Sequence, residues 1–175
     1  GIGALYMNNE TISKKNISAF QHGGGHELGL RSGTLNVPAI IGFAKACQIA
    51  NLEMESNCNC IKKLRDILED KLLKFEGAFV NGSREVRLYN TSNICFPSLD
   101  ADMFISKNKS IAVSNGSACT SSLVEPSHVL TAMGLTVRES LGSLRISIGQ
   151  NNKRSDIERL IEIIQLECKN GSSLV

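Results

Sequence analysis

Residues 22–34 read HGGGHELGLRSGT, and Asn36 and Pro38 follow directly. Five glycines in that stretch exclude a regular helix, since each costs about 1 kcal/mol relative to Ala in a helix interior. Backbone N–H groups flanked by glycine can approach an anion closely, and a helix N-terminus just beyond favours negative charge. Asn36 supplies an N-cap and Pro38 sits in the first turn, where its missing N–H does no harm. The stretch therefore divides the chain: a loop of anion-binding composition, then a long amphipathic helix carrying Ile40, Ile41, Ala44 and Cys47. Arg31, Ser32 and Thr34 add side-chain donors, and a phosphate is the natural guest. A plain surface loop is the alternative. His22 and His26 stand four apart, as in a helical metal pair, but the glycines between them argue against the helix such a pair needs.

Working outward, residues 2–7 (IGALYM) read as a short buried strand, and the segment to Asn16 as a loop. The chain opens without Met, and the expectation is a fragment or a processed half. Downstream, a break is expected near Ser56–Cys60. Ile61, Leu64, Leu68, Leu72 and Phe75 then recur at helical spacing, with Gly77 as the stop. Residues 78–81, 93–96, 111–113 and 144–149 read as strands. Asp100 or Asp102 caps a short helix, and residues 125–133 form another that ends at Gly134. Ser155 and Glu158 form a capping box for a last helix that buries Ile157, Leu160, Ile161, Ile164 and Cys168. Long helices first, then strands mixed with short helices, predict an α+β sandwich.

The 175 residues are 42% hydrophobic and 21% charged, with a formal charge of +2, which fits a globular chain with no global field for nucleic acid or anionic lipid. No apolar run approaches the roughly 20 residues needed to span a bilayer. Six cysteines are present, yet a chain this rich in ordinary core residues does not need disulfides. Cys47, Cys95 and Cys168 read as buried small hydrophobes. Cys58 and Cys60 form a C-x-C pair without further ligands nearby, and reduced thiols in a cytosol-like compartment are expected.

Two single residues point to chemistry. Cys119, in SNGSACTSS (114–122), is surrounded by small polar side chains that suit an exposed thiol able to reach a reactant and swing away; an incidental surface cysteine is the alternative. Arg145, in LRISIG (144–149), is an arginine within an apolar strand. It either meets a carboxylate, for which a guanidinium fork is suited, or faces water on an edge strand.

HGGGHE with LRSGT and NVP, and GSACTS with EPSHVL and a helix ending MGL, resemble the C-terminal half of a cysteine desulfurase of the IscS/NifS type, within the class V aminotransferase group. The resemblance covers nearly the whole chain. Leu28 and Gln150 depart from the residues common in relatives. The resemblance implies the α/β architecture of the C-terminal portion of the pyridoxal-phosphate-dependent transferase fold type I, with long helices packed on a small mixed or antiparallel sheet. Residues 1–35 would end the large cofactor-binding domain, and 36–175 would form a connecting helix and the small C-terminal domain.

The resemblance further implies that L-cysteine is the substrate and pyridoxal 5'-phosphate the cofactor. Cys119 would take the substrate sulfur as a persulfide, leaving alanine. Arg145 would hold the substrate carboxylate, and Thr34 would contact the cofactor phosphate of the neighbouring subunit in a homodimer. The segment from Cys119 through Glu125 has the length of the IscS/NifS branch. The sulfur would pass to an iron–sulfur scaffold or a sulfur-relay protein for cluster assembly or tRNA thiolation. No metal is intrinsic, although Cys119 could touch a nascent cluster. No direct nucleic-acid or membrane contact is implied, and the compartment would be the cytoplasm, or the mitochondrion or plastid in a eukaryote. Lys14 and Lys15 do not match the family's cofactor lysine, so the chain alone is expected to be inactive. A non-catalytic sulfur-accepting module and a selenocysteine lyase-like enzyme are the alternatives.

Overall fold

The computed structural model describes residues 1–8, 10, 17–115 and 125–171, the last three by their backbone alone. These residues form helices and a small antiparallel sheet, an α/β architecture. They divide into two compact units, Gly1–Met54 and Glu55–Val175.

The first unit holds the glycine-rich loop, a single 3₁₀ turn at Glu27–Gly29, and the start of helix α1. Residues 2–7 form no strand, contrary to the expectation from their apolar run, and they lie largely exposed. An apolar run becomes a strand only where a neighbouring strand takes up its backbone groups, and none of the described residues does so here.

Helix α1 (Val37–Leu72) starts as the sequence predicts. Asn36 Oδ1 accepts the N–H of Ala39 at 3.3 Å, and Pro38 lies in the first turn. The expected break at Ser56–Cys60 is absent: the helix runs unbroken through Asn57, Cys58, Asn59 and Cys60. Their weak helix propensity costs only tenths of a kcal/mol each, which flanking turns override. Asn57 is further tied by its Nδ2, which donates to Gln150 Oε1 at 3.1 Å.

The second unit carries the core. Ile61, Leu68 and Leu72 of α1 are buried, with Leu64 and Phe75 packed against them. They meet Ile94, Phe96, Leu144, Ile146 and Ile148 from the sheet region, and Ile157, Leu160 and Ile164 from the last helix. The sheet is β1 (Phe79–Val80), β2 (Thr91–Cys95) and β3 (Ser143–Ser147), antiparallel in the order β1-β2-β3. Residues 111–113 are not a strand; that segment contributes a single antiparallel bridge, Ser114 to Arg145, on the outer side of β3.

Short helices α2 (Ala101–Lys107), α3 (His128–Ala132) and α4 (Val137–Leu141) connect the strands. Asp100 caps α2 by accepting the Met103 N–H at 2.9 Å. Helix α5 (Arg154–Gly171) buries the predicted face. Its start is not the predicted Ser155–Glu158 box: Asp156 reaches back to accept the Lys153 N–H at 2.9 Å, so the helix begins earlier. Gly134 follows the end of α3 in the left-handed region, at φ 93°. Helix α1 does not run to the expected stop at Gly77: it ends at Leu72, and Gly77, at φ 72°, serves the turn that leads into β1.

Candidate active site

Alternation along the strands gives the sheet two faces. Ser92, Ile94, Leu144 and Ile146 share the face toward the core, and all are buried. The opposite face carries the cross-strand pairs Thr91/Ser147, Asn93/Arg145 and Cys95/Ser143, with Asn81 just beyond the end of β1. All are neutral except Arg145. Asn81 Nδ2 donates to Asn93 Oδ1 at 2.8 Å and to Ser143 Oγ at 2.9 Å, and Ser143 Oγ donates to the Glu139 carbonyl at 2.7 Å. The Asn81 Oδ1 is buried with no partner among the described residues.

Arg145 is exposed on this face, so it is not an arginine sunk in the apolar side of the strand. Its backbone N–H and C=O both pair with Ser114, at 2.6 Å and 3.1 Å. No carboxylate among the described residues takes its guanidinium. Other cations are engaged: Arg87 and Arg84 meet Glu69, and Arg65 meets Asp66. Ser114 and Asn115 immediately precede the segment that carries Cys119, and Asn115 Nδ2 donates to Asp102 Oδ1 at 2.5 Å. Beyond that segment, Ser127 is buried and its N–H donates to Ser140 Oγ at 3.0 Å. Cys119, Lys14 and Lys15 lie outside the described residues.

In the other unit, Gln21 and Arg31 close the glycine-rich loop into a ring, with the Ser32 N–H donating to the Gln21 carbonyl at 3.1 Å. Glycine is required at Gly23 and Gly33: both have positive φ, and a Cβ would lie 3.2 Å from Ser32 Cβ and from Arg31 Nη1 respectively. Glu27 and Leu28 also adopt positive φ, 51° and 58°, a strain that concentrates at functional loops. Ser32 corrects its expected role: it is buried and its Oγ accepts the Gly25 N–H at 3.3 Å, so it braces the ring from inside. Arg31 and Thr34 are exposed at the end of the loop. A cation, a hydroxyl and glycine-flanked amides are a donor set that fits a phosphate.

Other sequence candidates do not gather. Cys58 and Cys60 are two apart on one continuous helix, roughly opposite in direction, and cannot share an ion. No cluster of His, Cys, Asp or Glu with metal-ligating spacing occurs among the described residues, His22 and His26 included. Cys47 is exposed rather than buried; Cys95 is buried and Cys168 half-buried, as expected. Burial pushes the Cys95 thiol up to about 11, so it is no nucleophile. Asn93 was not signalled by motif; an asparagine inside a β-strand, a residue poorly suited to one, was the available sign.

The sheet offers an arginine that no described carboxylate takes, and the glycine ring carries phosphate-type donors; each arrangement suits an anion. The class-V aminotransferase family model matches residues 1–160, and the chain belongs to that family. It is 41% identical over 164 residues to the cysteine desulfurase IscS of Shewanella loihica, an alignment covering 94% of this chain and 40% of the relative. Against the cysteine desulfurase IscS of Tolumonas auensis it is 43% identical over 165 residues, again 94% of this chain and 40% of the relative. The solved NifS-like protein from Rickettsia africae superimposes with a TM-score of 0.74 at 36% identity, covering 86% of this chain and 39% of that one. The chain thus spans about 40% of the length of the curated relatives it matches.

Proposed function

We propose that the chain supplies the substrate-carboxylate and sulfur-accepting groups of a pyridoxal-phosphate-dependent cysteine desulfurase acting on L-cysteine. The observation that carries this is the pairing of Ser114 with Arg145: the strand that presents the unpaired guanidinium is hydrogen-bonded to the residue from which the Cys119 segment departs. Cys119 follows Ser114 by five residues, so the covalent chain keeps the two Cα atoms within about 18 Å. A carboxylate on Arg145 and a thiol from Cys119 can therefore serve one substrate.

Arg145 holds the carboxylate through a bidentate, charge-assisted pair. Cys119, as thiolate, forms a bond to the substrate sulfur. The substrate C–S bond breaks with its electron pair remaining on carbon, a proton completes L-alanine, and Cys119 is left as a persulfide. Pyridoxal phosphate, when bound, supplies the electron withdrawal that makes that carbon able to hold the pair. Arg31, Thr34 and the amides of the glycine ring hold a cofactor phosphate, that of the neighbouring subunit in a homodimer. On this reading residues 1–35 close the large domain, 36–175 form the connecting helix and small domain, and the persulfide passes in the cytoplasm to an iron–sulfur scaffold or sulfur-relay protein.

Replacing Cys119 by Ala in the cofactor-loaded enzyme is expected to abolish sulfide release from L-cysteine while cofactor binding is retained. Full sulfide release by the variant would overturn the role of Cys119. Neither Lys14 nor Lys15 fixes the cofactor on this proposal. The purified 175-residue chain mixed with pyridoxal phosphate is expected to retain no cofactor after borohydride; a fixed cofactor mapped to either lysine would show otherwise.

A further inference from the structure

We infer that Asn93 is a second donor to the substrate carboxylate, acting beside Arg145; the inference rests on the reading of Arg145 given above. Asn93 and Arg145 are direct cross-strand partners on the same face of the sheet. Both backbone groups of Arg145 point outward to Ser114, and the Asn93 carbonyl points the other way, accepting the Asn81 N–H at 2.8 Å. The two residues are therefore a non-hydrogen-bonded antiparallel pair. That is the closer of the two pair types, with Cα atoms about 4.5 Å apart rather than about 5.5 Å. Side chains in such a pair stand together.

The Asn93 amide is also oriented. Its Oδ1 is taken by Asn81 Nδ2, and Asn81 is itself held by Ser143, whose hydroxyl proton goes to the Glu139 carbonyl. With the oxygen engaged, the Nδ2 group remains for a ligand, and no described residue accepts from it. Asn93 is only half-buried, so the amide is reachable. The paired residues of this face, Thr91/Ser147, Asn93/Arg145 and Cys95/Ser143, include no acid to compete. One strongly donating fork and one fixed N–H donor, side by side without an acceptor, are matched to a carboxylate, which offers about four acceptor sites.

The test measures equilibrium dissociation constants of two probes from the absorbance change of the pyridoxal-phosphate-loaded enzyme containing this chain. L-alanine carries the carboxylate and ethylamine lacks it. Asn93→Asp keeps the Oδ1 that Asn81 needs but replaces the donor with an acceptor; Asn93→Ala removes both. Arg145→Ala is expected to erase the preference for L-alanine over ethylamine. Asn93→Asp is expected to weaken L-alanine about tenfold or more, the size of one hydrogen bond to a charged group, and to leave ethylamine within about twofold. Asn93→Ala is expected to act in the same direction. A preference that survives Arg145→Ala overturns the carboxylate reading itself. Loss of the preference in Arg145→Ala, with L-alanine binding intact in both Asn93 variants, overturns only the role of Asn93. Equal weakening of both probes by Asn93→Asp overturns it too, because a purely structural residue would behave that way.

Discussion

Glu69 has a fully buried carboxylate, and its hydrogen-bonding and cationic neighbours make that tolerable. Arg87 embraces it with both terminal nitrogens, one to Oε2 at 2.7 Å, and Ser92 Oγ donates to Oε1 at 2.6 Å. Burial alone would push this carboxyl up. The hydrogen bonds from Arg87 and Ser92, with the charges of Arg87 and Arg65, outweigh it and hold Glu69 below its ordinary value. Because the folded value lies below the unfolded one, this stabilisation is complete above the ordinary carboxylate range and is lost as pH falls through the folded value. Replacing Arg87 by Met leaves a buried charge without its partner and is expected to cost about 3–5 kcal/mol at pH 7 in urea unfolding. The difference from wild type should narrow as the pH is lowered past the carboxylate range; a constant difference would show that the ion pair is not its source. The cysteines offer a second check. Cys47 and Cys60 are exposed, whereas Cys95 is buried with its thiol raised to about 11. Iodoacetamide at pH 8 is expected to label Cys47 and Cys60 in the native chain and Cys95 only after unfolding, read by peptide mass; rapid native labelling of Cys95 would contradict its burial. At this scale the sequence left Arg145 between two settings, carboxylate or water. Only register could place it on the polar face, because a strand's faces are known once its partner is fixed.

At the junction of β2 and α4 two backbone segments approach closely. The Phe96 N–H donates to the Gly142 carbonyl at 2.9 Å, and a Cβ on Gly142 would lie 2.5 Å from the Phe96 carbonyl oxygen. Backbone cannot swing aside as a flexible side chain does. Gly142→Ala is therefore expected to destabilise by about 1–3 kcal/mol, as overpacking does, although φ at this position is an ordinary −85°. A thermal midpoint equal to wild type would show that the junction relaxes. Thr136 opens α4 with a complete capping box: its Oγ1 accepts the Glu139 N–H at 3.3 Å, and Glu139 Oε2 accepts the Thr136 N–H at 2.7 Å. Ser155–Glu158 carries the same pattern without forming a box. Both stretches fit the pattern; what decides is where the preceding strand releases the chain, and β3 ends early enough for Asp156 to reach Lys153. Caps with a single local partner, Asn36 and Asp100, were legible because nothing distant competes for them. The helical spacing of Ile61 to Leu72 was legible for the same reason, as periodicity is a local record of one buried face, whereas Phe75 packs on that core from beyond the helix end.

For the chain as a whole, burial is uneven. Every buried apolar residue among those described falls between Ile61 and Ile164. Among the described residues of Gly1–Met54 the one buried residue is Ser32, while Leu5, Tyr6, Phe20, Ile41 and Leu52 are exposed, Phe20 completely. Composition could not show this division, because apolar residues are spread along both units and only folding assigns partners. Local opening free energy follows buried apolar contact, so the two units should differ in resistance. Chymotrypsin at low ratio is expected to cut the native 175-residue chain first after Tyr6, Phe20 and Phe43, and to spare Phe96 and Phe104, each about 1% exposed. Amide exchange should agree, with slow exchange confined to the later part of α1, β2, β3 and α5. If Phe20 resisted cleavage as long as Phe96, a surface that covers the first unit would have to exist in solution. The thermal midpoint would then rise with protein concentration if that surface were a second copy of the chain, since association stabilises only the folded form.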